Sequence, residues 1–167
     1  QPLVAATNSA EAYSIVINPG ASLSVLGDLS FQTSLTNHGD LLFLSNANAT
    51  GQLAELPEGA SITGNPAEVQ RYIPSGTRAF RFLSSAVNST DNIHTNWQEG
   101  ALNNTDNPTP GFGTHITGDA TGLNGFDATP SGNASLFDFD NATQTGSAIT
   151  NTDVNTLTIG KAYRLYV

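Results

Sequence analysis

Three oxygen-bearing side chains, Asp119, Asn124 and Asp127, fall in the glycine-rich run from Asp119 to Asp127. Hard cations such as calcium take about six to eight oxygens from flexible loops, which makes this run the candidate calcium site. Asp106, Asp138 and Asp140 are further donors for it. The run lacks the alternating ligand spacing and closing Glu of an EF-hand, and Asx turns use the same residues without a metal. A second constellation is Trp97-Gln98-Glu99, a ring beside an amide and a carboxylate, which suits sugar stacking, with Tyr72 and Tyr166 elsewhere. A single Trp in a β-domain is more often a core anchor than a sugar platform.

Other chemistries find no support. His38, His94 and His115 are scattered, whereas a zinc centre gathers several ligands at short spacing. Glycoside hydrolysis needs two acids facing each other, and nothing singles out a pair such as Glu99 with Asp127. There is no G-x-S-x-G elbow and no phosphate-binding loop. The expectation is a protein that is not an enzyme and takes no cofactor beyond calcium. A net charge of −9, with one Lys and four Arg, repels nucleic acid. Arg71, Arg78 and Arg81 lie close together and are expected to pair with acids where two parts of the chain meet, or alternatively to touch an anionic glycan.

The elements that position these residues follow from composition. Charged residues are 11%, against roughly 25% in an average soluble domain. Asn, Thr, Ser and Gly supply the polarity instead, and they favour turns and exposed strand faces over helix interiors. With 38% hydrophobic residues the chain has material for a core, so the expected class is all-β. Cys and Met are both absent, which points to a bacterial exterior or a cytosol and to a chain that begins after processing or inside a longer protein. No apolar run approaches the roughly 18 residues of a membrane span, so no membrane insertion by this segment is expected.

The first seventy residues repeat. Gly20-Ala-Ser-Leu23-Ser-Val25, Gly39-Asp-Leu-Leu42-Phe-Leu44 and Gly59-Ala-Ser-Ile62-Thr-Gly64 share one frame, each glycine in a turn and an apolar residue three positions on. A period of 19–20 residues with one turn and short alternating strands predicts β-solenoid coils, parallel and β-helix-like, over 1–68, with Leu29-Ser-Phe31 on another wall. An antiparallel meander with regular turns is the alternative. Over 69–167 the expectation is a loop-rich β-sandwich or jelly-roll-like capping domain. Its strands are Val69–Ile73, Ala79–Leu83, Leu136–Phe139, Leu157–Ile159 and Tyr163–Val167, and Asn88–Ser135 is mostly loop.

Val69-Gln-Arg-Tyr-Ile73, Arg78-Ala-Phe-Arg-Phe-Leu-Ser-Ser-Ala-Val87 and Asn96-Trp-Gln-Glu-Gly100 are of a recurring kind. So are Gly111-Phe-Gly-Thr-His-Ile-Thr-Gly118, Gly125-Phe-Asp-Ala-Thr129 and Gly160-Lys-Ala-Tyr-Arg-Leu-Tyr-Val167. Together they resemble large secreted surface proteins of Bacteroidota, adhesin-like cargo of type IX secretion, in which solenoid coils lead into such a segment. The resemblance covers essentially the whole chain, without the C-terminal sorting domain usual there, and it brings no catalytic residues. It implies export to the cell surface or medium.

The expected function is a non-catalytic structural and adhesion module, a piece of a larger cell-surface protein. Its expected partners are other copies, other domains of that protein, or glycans. Two alternatives stand beside it: a carbohydrate-binding module of an exported polysaccharide-degrading enzyme, and a subunit of an extracellular filament joined through edge strands.

Overall fold

A computed structural model describes residues 3–4, 10–98 and 112–167. Glu99, Asp106 and most of Gln1–Ser9 lie outside the described residues. The protein is all-β and divides into two compact units, Gln1–Ser75 and Gly76–Val167.

The first unit holds β1 (Leu3–Val4), β2 (Ala10–Ile17), β3 (Ser22–Val25), β4 (Asp28–Asn37), β5 (Asp40–Phe43), β6 (Gln52–Leu53), β7 (Ser61–Gly64) and β8 (Ala67–Val69). Every pairing among them is parallel. One sheet runs β1-β3-β5-β8; the other runs β2-β4-β6, with β7 also on β4. Register sets apolar residue on apolar residue from strand to strand: Ile15 on Leu35 on Ile62, and Val25 on Phe43 on Val69. That stacking is why the sequence repeats. Each strand leaves half an apolar surface, and the next strand at the same register covers it. The core is Ile17, Val25, Leu29, Phe31, Leu35, Leu41 and Phe43.

The repeat frame read from the glycines needs correcting. Leu23 partners Leu41, not Leu42, and Ile62 sits in the other sheet, on Leu35. The first shift is one residue, since Ser22, two after Gly20, partners Asp40, one after Gly39; the second comes from extra chain between Gly39 and Gly59. Residues 44–51 turn back on themselves, with Ser45 bridging Thr50, and the next strand on β5 is delayed to Ala67. Val69 therefore belongs with Phe43 in the first unit. The three glycines also differ in purpose. Gly20 and Gly59 take positive φ, at 76° and 84°. Gly39 is required by space, since a Cβ there would lie 2.1 Å from the Ala21 carbonyl oxygen.

The second unit holds β9 (Phe80–Ser84), α1 (Ile93–Trp97), a 3-10 turn at Leu123–Gly125, β10 (Leu136–Asp140), β11 (Thr145–Ala148) and β12 (Ala162–Tyr166). Its strands form one antiparallel sheet in the order β11-β10-β12-β9. Loops and α1 cover the inner face, a layering compatible with a β-sandwich-like organisation. The core joins Leu136, Tyr163 and Leu165 of the sheet to Ile93, Ile116, Phe126, Ile149 and Leu157. Of the strands read at 157–159, only single bridges at Thr156 and Ile159 form. Asn92 starts α1 by accepting a hydrogen bond from the Thr95 amide at 2.8 Å, satisfying one of the free amides of a helix start.

Candidate functional site

Trp97 and Gln98 end α1. The Trp97 carbonyl accepts from the Thr114 amide at 2.6 Å and from its hydroxyl at 3.1 Å, tying the helix to the following loop. The indole meets the Tyr163 ring edge-on, with centroids 5.5 Å apart, and packs against the core. Gln98 is buried and donates to the Ile116 carbonyl at 3.4 Å. The two residues expected to lead a sugar platform thus face inward, and Glu99 lies outside the described residues.

The three oxygen donors of 119–127 have separate partners. Asp119 accepts from the Thr121 hydroxyl and amide, both at 2.7 Å, and from the Leu123 amide at 3.2 Å. Those bonds, led by the Thr121 hydroxyl, hold its carboxyl below the ordinary value. Asn124 is left-handed at φ 62°, and its backbone carbonyl accepts from the Thr152 amide at 2.9 Å. Asp127 is buried and accepts from the Ile116 amide at 2.8 Å. Burial raises the Asp127 carboxyl above its ordinary value, while His115, the Ile116 amide and Gln98 act in the opposite direction. His115 Nδ1 lies 3.0 Å from Asp127 Oδ2, an ion-pair distance, although its direction is not that of a hydrogen bond. Asp138 pairs with Lys161 at 2.8 Å, and Asp140 accepts from the Ala142 amide in the β10–β11 turn. Among the described residues no three His, Asp or Glu are grouped to hold a metal.

In the first unit a shallow, open depression is lined by Ser22, Asp40, Leu41, Leu42, Pro66 and Glu68. It brings two carboxylates to one place, and Ser22 donates its hydroxyl to Asp40 at 3.1 Å.

The larger exposed feature is the outer face of the antiparallel sheet. Successive strand residues point to opposite faces. Leu83, Tyr163, Leu165 and Leu136 face the core, so Phe80, Phe82, Phe137, Phe139, Arg164 and Tyr166 form the other row. Phe80 is 49% exposed and Phe82 62%. Phe80 meets Tyr166 at 5.0 Å and Phe137 at 5.9 Å between centroids, and Phe82 meets Phe139 at 5.0 Å. The Arg164 guanidinium lies 4.6 Å from the Phe80 centroid and 4.8 Å from that of Phe137. Arg78 lies 4.7 Å over Tyr166 and donates to its carbonyl at 3.4 Å.

No protein-family model, curated protein or solved structure matches the chain.

The arginines also depart from expectation. The ion pairs among the described residues are His94–Asp153, His115–Asp127 and Lys161–Asp138, and none involves an arginine. Arg71 donates to the Gln70 carbonyl, while Arg78 and Arg164 sit on aromatic rings. The Asp138 and Asp140 carboxylates alternate with Phe137 and Phe139 along β10, so they belong to the inner row. The outer row therefore carries aromatic rings and cations without a carboxylate.

Reading the sequence for single Trp and acidic residues misses this face. The signal for it is apolar or aromatic residues at both parities of one strand. Phe80-Arg-Phe-Leu83 and Tyr163-Arg-Leu-Tyr166 both show it.

Proposed function

We propose that this chain is a non-catalytic extracellular structural and adhesion module, akin to the secreted surface proteins of Bacteroidota that it resembles. In this reading the first unit is a short β-solenoid that gives reach. The parallel, in-register stacking of Ile15, Leu35 and Ile62 supports it. The second unit is a loop-rich, β-sandwich-like display domain. The observation that carries the adhesive role is the aromatic row of Phe80, Phe82, Phe137, Phe139 and Tyr166 on a hydrogen-bonded sheet, with Phe80 and Phe82 exposed and the other three half-buried. Exposed aromatic clusters of this kind mark binding surfaces. Rings held in place by cross-strand neighbours lose little freedom when a ligand stacks on them.

The test is retention of the 167-residue chain on immobilised polysaccharides, with product release measured in the same tubes. The expected result is retention that Phe82→Ser weakens and no release of sugar. Sugar release by the chain would overturn the reading in favour of an enzyme.

A further inference from the structure

We propose that the outer face of β9, β12 and β10 binds a polysaccharide carrying carboxylates at intervals along an otherwise neutral chain. The rings stack on sugar faces, and Arg164 and Arg78 take the carboxylate. The inference rests on the adhesive reading above and names the ligand.

Three features of the face point to this chemistry. First, the rings are spread along and across strands. Phe80 and Phe82 are two residues apart on β9, a spacing of roughly 7 Å, and Tyr166, Phe137 and Phe139 extend the surface sideways. An extended ligand with repeated flat apolar faces fits such a surface better than a compact one. Secondly, the Arg164 guanidinium lies against the Phe80 and Phe137 rings, 4.6 and 4.8 Å from their centroids. A guanidinium held against rings keeps its N–H donors, a fork matched to a carboxylate. Thirdly, no carboxylate of the described residues is paired with either arginine, in a chain whose net charge is −9.

The same observations weigh against other occupants. A two-fold contact between copies sets a face against itself, so arginines would meet arginines with no acid on the face to offset them. Single-stranded nucleic acid also stacks on aromatic rings, but it is gripped by a cationic groove along its backbone. Two arginines in a strongly acidic chain do not make one. Sparse carboxylates on a neutral polymer meet the least repulsion from the remaining acids.

Affinity electrophoresis of the 167-residue chain tests the proposal. The gels contain glucuronoxylan, carboxyl-reduced glucuronoxylan or no polymer. The expected result is retardation by glucuronoxylan that weakens at least tenfold for Arg164→Gln and at least tenfold when the carboxylates are reduced. On the reduced polymer, wild type and Arg164→Gln should run alike. Phe82→Ser, whose side chain is mostly exposed and whose fold is checked by circular dichroism, should weaken binding to both polymers. Equal binding of native and reduced polymer overturns the carboxylate inference and leaves the adhesive reading standing. Sugar release from either polymer overturns the adhesive reading whatever Arg164→Gln does. Failure to bind either polymer, tighter binding of single-stranded DNA, or a dimer by light scattering that Phe82→Ser abolishes each overturns the proposal.

Discussion

Leu35 and Ile62 are partners in neighbouring parallel strands, yet Leu35 is fully buried and Ile62 is 48% exposed. Leu35 has a strand on each side, with Ile15 on one and Ile62 on the other. Ile62 has a paired strand on one side alone, and no residue of β7 is buried. Leu29 and Leu53 repeat the relationship, buried against 38% exposed. Burial here depends on a residue's place in the stack and not on its own hydrophobicity.

Leu35→Ala should therefore destabilise the first unit by about 2–5 kcal/mol, the range for emptying a filled leucine site. Ile62→Ala should cost about 1 kcal/mol or less, since half of the side chain already faces water. Urea unfolding of both variants checks the ratio. Equal losses would mean that Ile62 is covered in solution.

Gly20 and Gly39 stand in equivalent turns but should respond differently to alanine. At Gly20 a Cβ meets nothing within 4 Å, and the cost is that of positive φ, about 1 kcal/mol. At Gly39 a Cβ would lie 2.1 Å from the Ala21 carbonyl oxygen and 2.6 Å from that of Asn18. Backbone must move there, so Gly39→Ala should cost about 3 kcal/mol or more. Thermal unfolding of the two variants decides between conformational and steric need.

The repeat was legible in the sequence because stacking imposes like residues at like positions. Its frame was less so, because the strand after Gly39 starts one residue sooner than the strand after Gly20, and loop 44–51 adds residues without changing the pattern of the strands around it. In the second unit, Leu136–Phe139 and Tyr163–Val167 read as strands from their alternation. Thr145–Ala148 did not, since every residue of β11 is exposed and its place comes from pairing with β10. Alternation also leaves open which row faces in. Phe80 and Phe82 flank Arg81, which invites reading the rings as core. Leu83 partners Tyr163 instead, and that row closes the core and turns the phenylalanines outward. The five-residue α1 is too short to show a helical period, so the inward turn of Trp97 had no signal beyond the rarity of the residue.

Asn37 is a fully buried polar residue in an apolar stack. Its amide donates to the Asn65 carbonyl at 3.0 Å and the Pro66 carbonyl at 3.4 Å, and its oxygen accepts from the Gly39 amide at 3.2 Å. It thereby satisfies the backbone of two successive turns. Asn37→Leu keeps the volume and strands those groups, which should cost about 2–4 kcal/mol. Hydrogen exchange at the Gly39 amide is the second readout, expected to quicken. An unchanged stability would mean that water replaces the side chain.

Asp127 ties stability to pH. Its carboxyl titrates above the ordinary 3.8, chiefly because it is buried, with His115 opposing the shift. Between 3.8 and the raised value the folded chain holds a proton that the unfolded chain has released. Stability from this group is thus fully present below the ordinary value and is lost as pH rises through the folded one. Asp127→Asn has nothing to titrate and keeps an oxygen for the Ile116 amide. Relative to wild type, the variant should gain stability as pH rises across that interval and run parallel to it on the acid side. His115→Gln removes the opposing positive charge, so it should raise the Asp127 carboxyl further and steepen the fall. Urea midpoints from acid to neutral pH measure all three proteins. Curves that stay parallel throughout would show that Asp127 is hydrated in solution and that its burial does not govern its ionisation.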